Sequence, residues 1–143
     1  MRYFITHVLY FILLSSTLTT CLNQLYAQQF ADKNYYLIDS LQLNELSINE
    51  KKIIDSALTQ YHQAKHDTLK INAINIIVEE SWNDFVWPKY NEWVYALILE
   101  KLEKKSLNRK KNKRVKEFLL KNKSSALNNF GIHHYSNGNY EKA

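Results

Sequence analysis

Apolar side chains recur at the spacing of one helix face along most of the chain after residue 47. The first such segment opens on Ser47-Ile48-Asn49-Glu50, a capping-box pattern in which Ser47 and Glu50 satisfy each other's backbone N–H groups. The apolar stripe that follows comprises Ile53, Ile54, Ala57, Leu58 and Tyr61. We therefore predict a helix from Ser47 to about Ala64.

Two further helices follow. His66-Asp67-Thr68 interrupts the first stripe and offers Asp67 or Thr68 as an N-cap. The second stripe comprises Ile71, Ile74, Ile77 and Val78. After an aromatic connection from Trp82 to Trp87, Pro88 stands at the predicted first helical position, where no N–H group is needed. The third stripe comprises Tyr90, Trp93, Val94, Leu97, Ile98 and Leu102.

A last, long helix is predicted with Asn108 as its N-cap. Its apolar positions are Val115, Phe118, Leu119, Ala126, Leu127 and Phe130. Gly138 and Asn139 predict a turn, after which Tyr140–Ala143 begins another helix. The whole sequence has two Gly and one Pro, and no strand pattern competes with the helical ones. The predicted fold is all-α and consists of antiparallel helix pairs.

The first residues, 1–27, have the pattern of a secretory signal peptide. Arg2 supplies the positive start and Val8–Leu14 the apolar core, with cleavage predicted after Ala27. The alternatives are a retained signal anchor and lipidation at Cys21. Cleavage would remove the only cysteine, so the mature chain would lack disulfides, a thiol nucleophile and Cys-ligated zinc. We expect an exported protein that is held together by packing alone.

The remaining chain divides into three predicted regions. Residues 28–46 form a leader, disordered up to Asn34 and with a short helix from Tyr35 to Leu43. Residues 47–123 form a divergent helical region, and residues 124–143 carry a separate motif described below. One domain is the most that 143 residues allow.

Positive charge is concentrated in one stretch, although the chain as a whole carries only +5. Eleven Lys or Arg against Glu103 and Glu117 give this stretch +9, which leaves −4 for the rest. The basic residues are Lys101, Lys104, Lys105, Arg109, Lys110, Lys111, Lys113, Arg114, Lys116, Lys121 and Lys123. We interpret the run as the solvated face of a helix connection. The alternative is attraction to anionic lipid headgroups, and because the protein is exported we expect no nucleic acid partner.

Histidine and tryptophan provide the remaining candidate chemistry. His62 and His66 stand four residues apart, as two metal ligands on one helix face would, but no third ligand has motif spacing. His133 and His134 have no triad partner, and no glycine-rich phosphate loop precedes Gly131. We predict no catalytic site, metal or cofactor. The tryptophans around Pro88 are Trp82, Trp87 and Trp93; we interpret them as core, with a ligand-facing patch as the alternative.

The end of the sequence contains the most specific motif. Its residues are Leu127, Phe130, Gly131, His134, Gly138, Tyr140 and Ala143. This order resembles the first half of a tetratricopeptide (TPR) repeat, with His134 at the place of the usual aromatic residue. In such a repeat, Gly131 and Ala143 would let two helices pack closely, while Gly138 would form the turn between them. A full repeat has about 34 residues, so residues 124–143 would be an incomplete, truncated one.

The resemblance implies a right-handed TPR-like α-solenoid that recognises a protein or peptide on its concave surface. The segments Ile38–Leu41, Ala64–Thr68 and Trp87–Tyr90 are also similar to the leader of exported bacterial TPR signalling proteins. We therefore expect the extracytoplasmic input region of a longer signal-transduction protein, such as a sensor histidine kinase. Its membrane anchor and any enzymatic output module would lie beyond Ala143. The alternative is a stand-alone periplasmic scaffold protein. No constellation of residues in the sequence supports the third possibility, an enzyme in its own right.

Overall fold

The computed structural model describes residues 31–104, 107 and 112–143, and within them the protein is all-α. The predicted signal peptide, the N-cap assigned to Asn108 and four of the basic residues lie outside this range. The helices are α1 (Lys33–Tyr36), α2 (Ile48–Gln63), α3 (Asp67–Glu80), α4 (Trp87–Leu102) and α5 (Lys113–Ser136), with a 3₁₀ turn at Leu43–Glu45. None of the described helices is both long and apolar enough to cross a membrane.

Helix α2 begins where the capping box predicts. The Ser47 N–H donates to Glu50 Oε2 at 2.8 Å, and the Glu50 N–H donates to Ser47 Oγ at 3.2 Å. These two bonds satisfy N–H groups that would otherwise lack partners at the helix start. The helix ends at Gln63 because Ala64 has extended backbone angles. The predicted first helix is therefore confirmed to within a residue at each end.

The starts of α3 and α4 each differ from prediction by one residue. The N-cap of α3 is His66, with extended backbone and no capping side chain, so Asp67 is already helical. A carboxylate in the first turn still stabilises the helix, because it faces the positive end of the helix dipole. Helix α4 begins at Trp87, which makes Pro88 the second helical residue. Its missing N–H remains harmless there, since that N–H has no partner within the helix.

The helices pack in chain order as antiparallel pairs. Helix α3 packs against both α2 and α4, and α5 packs against α4 and also meets α3. Lys101 Nζ, at the end of α4, lies 3.4 Å from Asp67 Oδ1 at the start of α3. The largest buried apolar side chains of the three central helices are Ile54, Leu58, Ile71, Ile74, Ile77, Tyr90, Val94 and Ile98. All of them belong to the predicted stripes, so these core positions are confirmed.

Residues 31–46 form an N-terminal strap across this core. The prediction of one short helix from Tyr35 to Leu43 is wrong, since α1 ends at Tyr36 and Leu37 adopts left-handed angles (φ 66°). Burial explains the change: the apolar side chains of Ile38, Leu41 and Leu46 all enter the core from irregular backbone. Hydrogen bonds from α4 hold the strap, with Tyr90 Oη donating to the Tyr36 carbonyl at 3.0 Å.

Helix α5 begins at Lys113 with Asn112 as its N-cap, four residues after the predicted cap Asn108, so the predicted start of this helix is wrong. Only Leu119 and Ala126 of its 24 residues are buried. It ends at a turn in which Gly138 has φ +73°, a conformation that L side chains rarely adopt. Residues 140–142 form turns, so the predicted start of another helix is not seen. The Lys142 N–H donates to the Asn139 carbonyl at 3.0 Å, a bond that spans three residues and closes a turn.

Candidate functional site

A groove runs between α3 and α5, with α4 as its floor. Its volume is about 380 Å³. The uncharged polar side chains that line it are Asn72, Asn75, Asn91, Asn122, Ser125 and Asn129, and the charged ones are Glu79 and Lys121. We call it the α3–α5 groove. Five amides in one groove are notable because each amide carries both a hydrogen-bond donor and an acceptor.

Two pairs of hydrogen-bonded amides fix the groove walls. Asn91 is buried on α4, where its Nδ2 donates to the Ala126 carbonyl at 3.0 Å. Its Oδ1 accepts from Asn129 Nδ2 at 3.1 Å. Across the groove, Asn75 Nδ2 donates to Asn122 Oδ1 at 2.6 Å. The amides are therefore held in fixed orientations.

Part of their hydrogen-bonding capacity remains for a ligand. Asn122 Nδ2 donates to the Phe118 carbonyl at 2.8 Å, which uses the second end of that amide. Asn75 donates once, which leaves its carbonyl oxygen for another group, and Asn72 is exposed at the rim. A side-chain amide can donate to and accept from one peptide unit at the same time. The groove is thus chemically suited to the backbone of an extended peptide.

A second cavity, of about 290 Å³, continues the groove towards the α3–α4 connection. The two cavities share Val78, Glu79 and Asn129. The continuation is lined by Trp82 and Trp87 on one side and by Ile132 on the other. The α3–α5 groove is therefore lined by amides along its first part and by aromatic side chains in its continuation.

The three tryptophans do not share one environment. Trp87 and Trp93 pack against the core, as predicted, and each meets a neighbouring ring edge-on, His133 and Tyr61 respectively, at 5.3 Å. Trp82 is 93% exposed, so its interpretation as core is wrong. Ser81 and Val86 of the connection are buried instead, whereas Trp82, Asp84 and Phe85 are exposed.

The TPR-like residues lie together at the end of α5. Gly131 faces the returning chain, because a Cβ there would lie 3.4 Å from the Ala143 carbonyl oxygen. Phe130 is half-buried and meets the Tyr95 ring edge-on at 5.5 Å. Leu127 is 47% exposed, since no described helix covers that face of α5. The Gly138 turn, with Tyr140 against Tyr135 at 5.4 Å, directs the chain back along α5.

His62, His133 and His134 each contact another ring or a backbone carbonyl. His62 stacks on Tyr35, and its Nε2 lies 2.8 Å from the Tyr35 carbonyl oxygen. His133 packs on Trp87, while His134, which the sequence pattern assigns to the aromatic place of the predicted repeat, is half-buried beside it. Within the residues that the structure describes, no group of three His, Cys, Asp or Glu side chains could hold a metal ion.

The described part of the basic run contains three ion pairs with neighbouring glutamates, two of them between exposed side chains. Lys101 and Lys104 both contact Glu100, at 3.1 and 3.6 Å. The hydrogen bond and charge of Lys101 hold the pKa of Glu100 below its ordinary value. Lys113 contacts Glu117 at 3.7 Å, one helical turn further along α5. Exposed pairs of this kind contribute little to stability, and attraction to lipid headgroups stays a prediction.

No family model, curated protein or solved structure matches the chain. The arrangement of the site therefore has to be interpreted from its own chemistry.

Sequence reasoning missed the amides of the groove. One signal was available: Asn91 stands four residues after Trp87 and three before Val94, on the apolar side of α4. A polar residue inside an apolar stripe indicates a buried hydrogen bond. The other asparagines alternate with apolar residues on solvated faces, so only the packing of α3 beside α5 brings them together.

Proposed function

We propose that this chain is an interaction module that binds an extended segment of a protein or peptide in the α3–α5 groove. The observation that carries the proposal is the set of five asparagines, of which two pairs are fixed by hydrogen bonds. Most polar groups of this groove are neutral amide donors and acceptors, with Glu79 and Lys121 as the charged exceptions. Such groups suit recognition of a peptide backbone.

The dimensions of the groove agree with this ligand. Asn72 and Glu79 stand seven residues apart on α3, which corresponds to about 10 Å of helix. An extended chain advances about 3.3 Å per residue, so roughly three peptide units would lie along the amides. The aromatic continuation would hold the side chain of the next residue. A short linear segment therefore fits better than a small metabolite.

We propose further that the fold is a TPR-like solenoid of which α5 forms the first helix of a repeat. Two observations support this. Each central helix packs mainly on its neighbours in the sequence, as in a solenoid. The Gly138 turn also brings Ala143 against Gly131, the small pair at which the two helices of a repeat would meet. The exposed face around Leu127 would then be an internal surface of the stack.

The proposed setting is the exported input region of a longer signalling protein, with a stand-alone periplasmic scaffold as the alternative. The signal-like pattern of residues 1–27 supports export. Fusing residues 1–31 to an alkaline phosphatase that lacks its own signal tests it, since the enzyme folds only after export. Phosphatase activity in whole bacterial cells is expected, and a fusion that stays inactive would contradict export.

Peptide binding is tested directly with the full chain. We would titrate it with fluorescein-labelled eight-residue peptides of acidic, basic, apolar and neutral composition and follow fluorescence anisotropy. Replacing two rim amides together (Asn72→Ala with Asn75→Ala) should weaken the best peptide by roughly tenfold, the effect of losing one or two hydrogen bonds. Asn49→Ala, an exposed amide at the start of α2, is the matched control.

Two results would contradict the proposal. One is that no peptide of the panel binds even at millimolar concentration. The other is that the Asn49→Ala control weakens binding as much as the groove variant does.

A further inference from the structure

The α3–α4 connection presents two large aromatic side chains to solvent. Trp82 is 93% exposed and Phe85 is 76% exposed, while their neighbours Ser81 and Val86 are buried. The buried neighbours fix the connection in place, so the aromatic side chains project from a defined backbone. Tryptophan at such a position is the residue type that most often anchors a protein interface. The connection is therefore a strong candidate for contact with a partner.

Carboxylates surround these aromatic side chains. Glu79 and Glu80 end α3, and Asp84 lies between Trp82 and Phe85; all three are exposed. Asp84 Oδ1 accepts a hydrogen bond from Trp87 Nε1 at 3.2 Å, which holds this carboxylate beside the tryptophans. Within the described part of the chain, none of the three forms an ion pair. An otherwise basic protein thus has a local negative surface around its exposed tryptophan.

The opposite wall comes from α5. Ile132 lines the cavity with Trp82, Trp87 and Glu79, and it is itself more than half exposed. One apolar side chain inserted here would contact Trp82 on one side and Ile132 on the other. Its neighbours in an extended chain would then lie within reach of Glu79 and Asp84. We call this surface, formed by Glu79, Trp82, Asp84, Trp87 and Ile132, the acidic–aromatic end of the groove.

We infer that the acidic–aromatic end selects partner segments in which a large apolar side chain is flanked by lysine or arginine. The inference rests on the proposed function, because this surface continues the α3–α5 groove. Charge complementarity favours a cation over a neutral or acidic neighbour. The exposed indole face adds a cation–π attraction for the same side chain. The carboxylates also disfavour an anionic membrane surface as the occupant.

Three peptides of equal length test the selectivity with the full chain. The first alternates Lys with Leu, the second has Glu in place of Lys, and the third has Ser in place of Leu. We expect the Lys–Leu peptide to bind at least tenfold more tightly than either of the others. Raising the salt concentration from 50 to 500 mM should weaken it, because exposed charges are screened.

Amino-acid substitutions test which side chains of the acidic–aromatic end cause this selectivity. Trp82→Ala should weaken the Lys–Leu peptide by roughly tenfold or more, as expected for an aromatic anchor. Glu79→Gln combined with Asp84→Asn should weaken it and remove most of its advantage over the Glu–Leu peptide. The matched controls are Leu69→Ala, an exposed apolar residue at the other end of α3, and Glu103→Gln beyond α4; neither should change binding.

The outcomes separate the two proposals. If peptides bind in the groove but the Lys–Leu and Glu–Leu peptides bind equally, or Trp82→Ala has no effect, the selectivity is refuted and the groove function stands. If no peptide binds, both fall. If the tryptophan fluorescence shifts to the blue with phosphatidylcholine vesicles and not with any peptide, and the shift is lost in Trp82→Ala, the connection is a lipid-binding element and the inference is overturned.

Discussion

The molecule has two differently built regions. One consists of the strap and helices α2, α3 and α4, and the other is the last helix, α5. Helix α3 buries five side chains out of 14 residues, whereas α5 buries two out of 24. The first region is closed on several sides by its neighbours. Helix α5 packs on one side only and leaves Leu120, Leu127, Ile132 and Tyr135 exposed. One part of the molecule thus serves mainly stability, and the other mainly presents surface.

The boundary between the two regions is also chemically distinct. Apolar side chains join α2, α3 and α4, whereas amides contribute to the contact of α4 with α5 through Asn91 and Asn129. Apolar packing depends on area and tolerates adjustment, while a buried amide needs its partners at defined distances. The position of α5, and therefore the width of the groove, depends on these hydrogen bonds.

The largest expected effect contrasts the two regions directly. Ile74→Ala should lower the free energy of unfolding by about 2–5 kcal/mol, because the side chain is completely buried and a cavity remains. Leu127→Ala should change it by less than about 1 kcal/mol, because that residue is 47% exposed and no described helix covers it. Urea denaturation followed by circular dichroism measures both. Equal losses would show that the Leu127 face is covered in solution.

The next largest effect on the free energy of unfolding concerns the contact between α4 and α5. Asn91→Ala should cost about 1–3 kcal/mol, since the Ala126 carbonyl loses its donor and Asn129 loses its acceptor in a buried place. Hydrogen exchange should then increase in α5 more than in α2. A uniform increase across all helices would contradict a specific role for Asn91 in holding α5.

A smaller effect tests whether the strap belongs to the stable region. Tyr90→Phe removes the hydroxyl that donates to the Tyr36 carbonyl, at a cost of about 1 kcal/mol. Tyr140→Phe is the control, because that ring is exposed. Faster proteolysis within residues 31–46 of the Tyr90 variant is expected. An unchanged rate would mean that apolar burial alone holds the strap.

The smallest effect depends on pH. Hydrogen bonds from Ser47, through its hydroxyl and then its backbone N–H, hold the pKa of Glu50 below its ordinary value of 4.5. A lowered folded-state pKa stabilises the protein above the unfolded pKa, and this stabilisation is lost as the pH falls through the folded value. The stability difference between wild type and Glu50→Gln should therefore shrink below about pH 4. A difference that stays constant between pH 7 and 3 would argue against the ionised capping box.

Local patterns predicted the helices well and the surface poorly. The capping box at Ser47 and the stripe through Ile71, Ile74 and Ile77 depend on neighbours a few residues away, so the sequence is sufficient. Trp82 is of a residue type that is usually found in the core. It is exposed because the short connection buries Ser81 and Val86 in its place. The prediction of a helix in the strap was wrong for a related reason, because Leu41 is buried by helices that come later in the chain.

The sequence by itself determined the all-α character, the starts of three of the four long helices to within a residue or two, and the apolar faces of these helices. These properties arise from hydrogen bonds and side-chain spacing within one helix. Tertiary structure alone decided that five asparagines from three helices line one groove, and that carboxylates at the end of α3 surround an exposed tryptophan. Such groupings depend on how separate helices are placed against each other, which hydrophobic burial decides over the whole fold and no local pattern encodes.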